Sequence, residues 1–307
     1  MSAERFLVTG ALGCIGAWTC AVLAEEGVDV VGFDLGSNDG RLRLAGAAGV
    51  PIVRGSITDR AALEAVVDEH RVTHVVHLAA LQIPLVRADP VNGAAVNVVG
   101  TVNVLDAAKT RGLRVAYASS AAVFSHLDDH GGPVPPDAEG HPTTLYGVHK
   151  QACEGIARVL WQDEQVPSIG IRPFVVYGPG RDTGLTASPT LAMAAAARGE
   201  DSTIAFGGRT QLQLAPDTAR VFVAAARAAT EGAPVFHLGG PAVTLAETAA
   251  AIEEASGTTV RVDEETLLPF PEEFDGAPLD AALGGIRWTP LEAGVRLTIE
   301  RLRDAPA

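Results

Sequence analysis

The sequence predicts an α/β protein built on a doubly wound parallel sheet, followed by a smaller mixed region. Three observations predict it. Strands and helices alternate through the first half, those strands are apolar along their whole length, and glycines gather where the first strand ends. Strands that are apolar on both faces belong to parallel sheets covered by helices on both sides.

Each element has its own signal. Residues 5–9 form a short apolar strand ending at a glycine, and 13–25 follow with helical spacing, offering Ile15, Trp18, Val22 and Leu23 to one face. A second strand is expected over 28–33, a third over 51–53, and an acid-rich amphipathic helix over 60–69 behind the cap candidates Thr58 and Asp59. Strand 74–78, a long helix over 91–111, strand 115–118, helix 146–162 and strand 168–171 complete the alternation. The second half is less regular. It carries helices over 190–198, 217–230, 244–256 and 291–304, with one strand over 235–238 and Gly/Pro-rich connections between them. This places a first domain over 1–176, joined again by 212–232, and a smaller one over 177–307.

Bulk properties narrow the function. The chain has 307 residues, 47% of them apolar and 20% charged, and a formal net charge of −14. That is a globular chain with a sizeable core. Its charge argues against nucleic acid or an anionic membrane surface as partner, but backbone amides can still hold a phosphate-bearing ligand. Cys14, Cys20 and Cys153 show no paired metal spacing and read as small buried residues in a reducing compartment. The N-terminus runs straight into a strand, without a signal-like segment, and no 18-residue apolar stretch follows. A cytoplasmic protein is expected.

In open parallel sheets ligands bind at the carboxyl ends of strands, and the chemistry-bearing residues fall there. Gly10, Gly13 and Gly16 follow the first strand and open the first helix. Glycine lets the backbone approach a pyrophosphate, and the helix N-terminus supplies free N–H groups. Asp34 ends the next strand, where a carboxylate accepts from a ribose 2′-hydroxyl and repels a 2′-phosphate. This predicts a Rossmann-type site for NAD rather than NADP; Arg41 and Arg43 lie too far along the following loop to favour the phosphate. Further on, Tyr146 and Lys150 are four apart on one helix face. A nearby cation favours phenolate, so such a tyrosine can exchange a proton with an alcohol or ketone, and a serine from the Ser119-Ser120 pair can hold the same oxygen.

These strings together resemble the extended short-chain dehydrogenase/reductases, the NAD-dependent epimerase/dehydratase group. The resemblance is carried by Gly10-x-x-Gly13-x-x-Gly16, by His77-Leu78-Ala79-Ala80, by the segment Asn97 to Leu105, by Ser119-Ser120, by Tyr146 with Lys150, and by Arg172-Pro173-Phe174-Val175-Val176-Tyr177-Gly178-Pro179. It implies catalytic roles for Ser120, Tyr146 and Lys150. It implies cofactor contacts for Gly10, Leu12, Gly13, Cys14, Ile15, Gly16, Asp34, Ser56, Ile57, Leu78, Ala79, Ala80, Asn97, Tyr146, Lys150, Pro173, Val175 and Val176. Ser56 stands where the family usually has aspartate. Gln82, Phe174 and Arg181, with Ser120, are expected to touch a small-molecule substrate, and helices 91–111 and 146–162 to form a homodimer.

Three departures bear on that substrate. Ala121 and Ala122 replace the Asp-Glu pair of the family's dehydratases. Thr210 and Gln211, with Arg209 one position early, stand where sugar-nucleotide enzymes carry an Arg-Asp pair, and residues 274–276 lack the later arginine. The expectation is an NAD-dependent oxidoreductase acting on a secondary alcohol or ketone of a sugar-like or related hydroxy compound. An epimerase using the same residues is the alternative. A non-catalytic NAD sensor is the remote one, since it would have lost Tyr146 or Lys150. No metal is expected: His126, Asp128, Asp129 and His130 lie in a Gly/Pro-rich loop, and His77 reads as a packed strand imidazole.

Overall fold

A computed structural model describes residues 4–128 and 130–304. The first body alternates as expected: β1 (Arg5–Thr9), α1 (Cys14–Glu25), β2 (Asp29–Asp34), α2 (Gly40–Ala45), β3 (Ile52–Arg54), α3 (Arg60–Glu69) and β4 (His74–His77). Then come α4 (Ile83–Ala88), α5 (Pro90–Ala94), a π-helical turn (Ala95–Val99), α6 (Gly100–Arg111), β5 (Arg114–Ala118), α7 (Leu145–Glu164) and β6 (Ser168–Arg172). The rest consists of β7 (Val175–Tyr177), α8 (Ser188–Ala197), β8 (Ser202–Ile204), β9 (Arg209–Leu214), α9 (Ala215–Arg227) and β10 (Val235–His237). It ends with β11 (Ala242–Thr244), α10 (Leu245–Ser256), β12 (Val260–Val262), α11 (Ala277–Leu283) and α12 (Leu291–Arg303).

Seven parallel strands form the main sheet in the order β10-β6-β5-β4-β1-β2-β3. The order reverses direction between β1 and β4, which opens a crevice at their carboxyl ends. One face is covered by α1 and α9, with Trp18, Leu23, Phe222 and Leu279 buried between helices and sheet. The other carries α3, α6 and α7 over Leu63, Val67, Leu105 and Ala157. Each such fully buried large side chain contributes about 1.5–3 kcal/mol. A separate core, with Met193, Phe206, Leu212, Ile252 and Ile299, joins α8, α10 and α12 to the small sheets β11-β9-β7 and β12-β8. Among the described residues, no helix is long and apolar enough to cross a membrane.

Local chemistry fixes the element ends. Asp59 caps α3 by accepting from Ala62 N, as its position suggested, and Thr144 caps α7 by accepting from Gly147 N at 3.0 Å. The expected long helix over 91–111 runs without a gap through α5, a π turn and α6. The buried Asn97 accounts for the turn: its side chain pairs with both Leu81 N (2.7 Å) and Leu81 O (2.9 Å), a tether the 3.6-residue pattern does not contain. The region between β2 and β3, read as loop, holds the short helix α2.

Candidate active site

The crevice opens into a cavity of about 690 Å³ that runs from Asp34 at one end to Tyr146 and Phe174 at the other. Such a volume suits a small molecule or cofactor. Its floor is the glycine loop. Gly10 has φ +70°, and a β-carbon there would stand 2.7 Å from Ala79 N; one on Gly16 would collide with the Gly10 carbonyl. Only glycine lets this turn press so closely against β4. No side chain caps the N-terminus of α1, so its first amides point unclaimed into the cleft.

At the far end Asp34 accepts from Leu12 N (3.0 Å) and Gly36 N (2.8 Å). Each carboxylate oxygen keeps a lone pair for a ribose hydroxyl. The Ser56 hydroxyl bonds that of Thr58 at 2.7 Å, and Ile57 lies beside it in the wall.

At the other end α7 and β5 assemble the proton-transfer residues. Lys150 is buried, donates from Nζ to Ala118 O at 2.6 Å, and sits 5.7 Å from the centre of the Tyr146 ring. Tyr146 lines the cavity, and its hydroxyl makes no hydrogen bond to the described residues. Ser120 Oγ accepts from Ala122 N at 3.1 Å in a 3₁₀ turn, which leaves its own proton to donate. Behind them Ser119 donates to Glu154, and Arg172 grips the same carboxylate with Nε (2.8 Å) and Nη2 (2.7 Å). Arg172 also lies 5.1 Å over the Phe124 ring.

The sequence-derived residues therefore mostly converge. Gly10, Leu12, Gly13, Cys14, Ile15, Gly16, Asp34, Ser56, Ile57, Leu78, Ala79, Ala80, Ser120, Tyr146, Lys150, Pro173 and Val176 line the cavity, as do Gln82, Phe174 and Arg181. Asn97 and Val175 do not. Asn97 is spent on the Leu81 backbone, and Val175 is wholly buried in the core behind β7. Arg41 corrects the expectation that it lies too far along: α2 swings it back, so that Nη1 donates to Leu12 O at 3.1 Å and Nη2 pairs with Asp182 at 2.5 Å. The i, i+3 burial of Leu42 and Ala45 was the available signal. Phe270, from the loop after β12, also lines the cleft and meets Phe174 edge-on at 6.3 Å; nothing local to it foretold that.

Other candidates have structural roles. His77 bridges Thr9 (2.7 Å) and Thr101 (3.1 Å), and burial pushes its imidazole down to about 3. Burial raises the Cys14 and Cys20 thiols to about 12 and raises that of Cys153 as well. In the loop before α7, Asp128 pairs with His141 Nδ1 at 2.6 Å. Asp129 lies outside the described residues, and no group of three or more His, Cys, Asp or Glu among the described residues could hold a metal.

Residues 6–239 match the family described as NAD dependent epimerase/dehydratase. The chain belongs to that family. It is a family of enzymes, and NAD is the cofactor. UDP-glucuronate 4-epimerase 3 of Arabidopsis thaliana is 33% identical over 184 residues, covering 56% of this chain and 42% of that protein. This chain thus spans under half the length of that relative. A partial consensus L-threonine 3-dehydrogenase superposes with TM-score 0.85 at 26% identity, covering 98% of this chain and 99% of that one. The UDP-glucose 4-epimerase of Thermus thermophilus, solved with NAD, gives 0.83 at 25% identity, covering 99% and 100%. The glycine cradle, the uncapped α1 terminus and the half-free Asp34 carboxylate all fit NAD.

Proposed function

We propose that the protein is an NAD-dependent oxidoreductase acting at a secondary alcohol or ketone of a small, sugar-like or related hydroxy compound. Bound NAD supplies the hydride chemistry. Tyr146 takes the alcohol proton or returns it to the ketone, with its hydroxyl free in the cavity for that exchange. Ser120 donates to the same oxygen and holds it in line. Lys150, anchored on Ala118 O, keeps a positive charge beside the phenol, which favours phenolate as the proton leaves. Phe174 and Phe270 close the substrate end and exclude water.

One observation carries the choice of a small substrate. The residues that would meet a sugar nucleotide's diphosphate are already engaged. Arg209 is paired with Glu273, and the Gln211 side chain is spent on Phe274 N (3.0 Å) and Phe274 O (3.1 Å). Without arginine partners a diphosphate forgoes charge-assisted bonds of about 1.5–3 kcal/mol each. Epimerisation through a transient ketone is the second reading, favoured by the likeness to the 4-epimerases. A screen of sugars, polyols and hydroxy acids separates the two: stoichiometric NADH supports the oxidoreductase, whereas inverted product without NADH supports the epimerase. Tyr146→Phe is expected to lower turnover by about 10²–10⁴-fold while NAD still binds.

The reading is of a cytoplasmic homodimer. The three unpaired cysteines suit a reducing compartment. Val91, Val99 and Val102, along the run from α5 to α6, and Val148 and Val159 on α7, are large apolar side chains left exposed at helical spacing. Val102→Glu together with Val148→Glu should shift the mass measured by light scattering from two chains to one; a wild-type monomer contradicts the pairing.

A further inference from the structure

The segment after β7 lines the cleft through Arg181, Leu185 and Thr186 and is fastened to the cofactor side. Trp18 Nε1 donates to Pro179 O at 2.9 Å, and Asp182 meets Arg41, which itself holds Leu12 O in the glycine loop. Next to Asp182 stands Arg181. Its Nη2 reaches Thr186 Oγ1 at 3.2 Å, but it forms no ion pair with any described residue, and its Nε is buried without a partner. The Arg41 Nε is buried and unpartnered in the same way.

Both guanidiniums line the cavity, and with Lys150 they are its only Lys or Arg residues among the described residues. Lys150 belongs to the reacting end. The two arginines belong to the glycine loop. The Cys14 thiol at the start of α1, which burial pushes up, is drawn back down by Arg181 first and then by Arg41. Cys14 is the first residue of the uncapped helix, where an anion sits best. A buried N–H left without an acceptor, as each Nε is here, is costly unless a ligand supplies one.

We propose that Arg181, with Arg41 beside it at the glycine loop, grips the pyrophosphate of NAD. The dinucleotide is then held by the free amides of α1 and by two arginines beside them. This assignment also uses up the one free guanidinium in the cleft among the described residues, leaving none for a second diphosphate on the substrate.

Calorimetric titration of the full chain with NAD, ADP-ribose and adenosine tests this without needing a substrate. Arg181→Ala is expected to weaken NAD and ADP-ribose by about tenfold to a hundredfold and to leave adenosine within about twofold. Arg181→Lys keeps the charge but not the planar fork, and should recover part of the loss for both pyrophosphate ligands. If Arg181→Ala proves too unstable to titrate, the same comparison of ADP-ribose with adenosine on Arg181→Lys decides. Unchanged ADP-ribose affinity overturns the proposal, and a raised KM alongside it would reassign the guanidinium to an acidic group on the substrate. An equal loss for adenosine overturns it too, because the effect would then be structural.

Discussion

Gly16 shows how little freedom the cofactor loop has. A single methyl there meets the Gly10 carbonyl rather than a yielding side chain, so backbone must move. Gly16→Ala should cost about 1–3 kcal/mol in stability and shift the α1 amides away from their anion, weakening NAD about tenfold or more. Melting and titration together check this; wild-type values in both would refute the close approach. The same tightness makes the loop legible from the amino acids alone, because a turn that admits only glycine has to be spelled in glycines. Tyr146 and Lys150 are legible for a related reason, since helical spacing by itself brings them to one face. Arg41 and Phe270 are not, because their places depend on a six-residue helix and on a loop arriving from beyond β12.

At the level of elements, the ends of β5 and β6 are locked to the middle of α7 through Ser119, Glu154 and Arg172. The Glu154–Arg172 pair is largely removed from water, with both side chains 11% exposed. Removing one partner strands a buried charge. Glu154→Ala should therefore destabilise by about 3–5 kcal/mol, whereas Glu154→Leu combined with Arg172→Met should cost less than the single change. Denaturant midpoints measure both, and an additive double variant would sink the idea. This lock holds the strand that presents Ser120 against the helix that presents Tyr146. The strands β8, β11 and β12 escape notice in the sequence because each has three residues and lies outside the regular strand–helix alternation that marks β3. The π turn escapes it because Asn97 binds Leu81, far along the chain, and not its own helix.

Across the whole molecule, four buried histidines weigh on the acid side of stability, and burial lowers all of them, His77 and His237 the furthest. Burial lowers His77 to about 3, and burial with the nearby Arg172 lowers His237 to about 4. Unfolded, each titrates near 6.5. Below that pH the unfolded chain binds protons that the folded one refuses. Stability is thus complete above about pH 6.5 and falls as pH drops towards the folded values. The slope is up to about 1.4 kcal/mol per pH unit for each histidine, which integrates to about 3 kcal/mol for His77 and His237 together between pH 6.5 and 5. Urea unfolding at pH 7 and pH 5 should show the loss, and His77→Gln should remove about half of it. An identical slope in the variant would assign the effect elsewhere.

The pairing of α1 with α9 has one more consequence, and it concerns synthesis. The helix that follows the cofactor loop leaves the ribosome well before the helix that covers it, which ends at Arg227, and before the edge strand of the sheet, which ends at His237. At about 5–20 residues per second, Trp18 and Leu23 wait on the order of ten seconds or more for the surface that shields them. The nascent chain must keep that apolar face out of other company until its own late segments arrive.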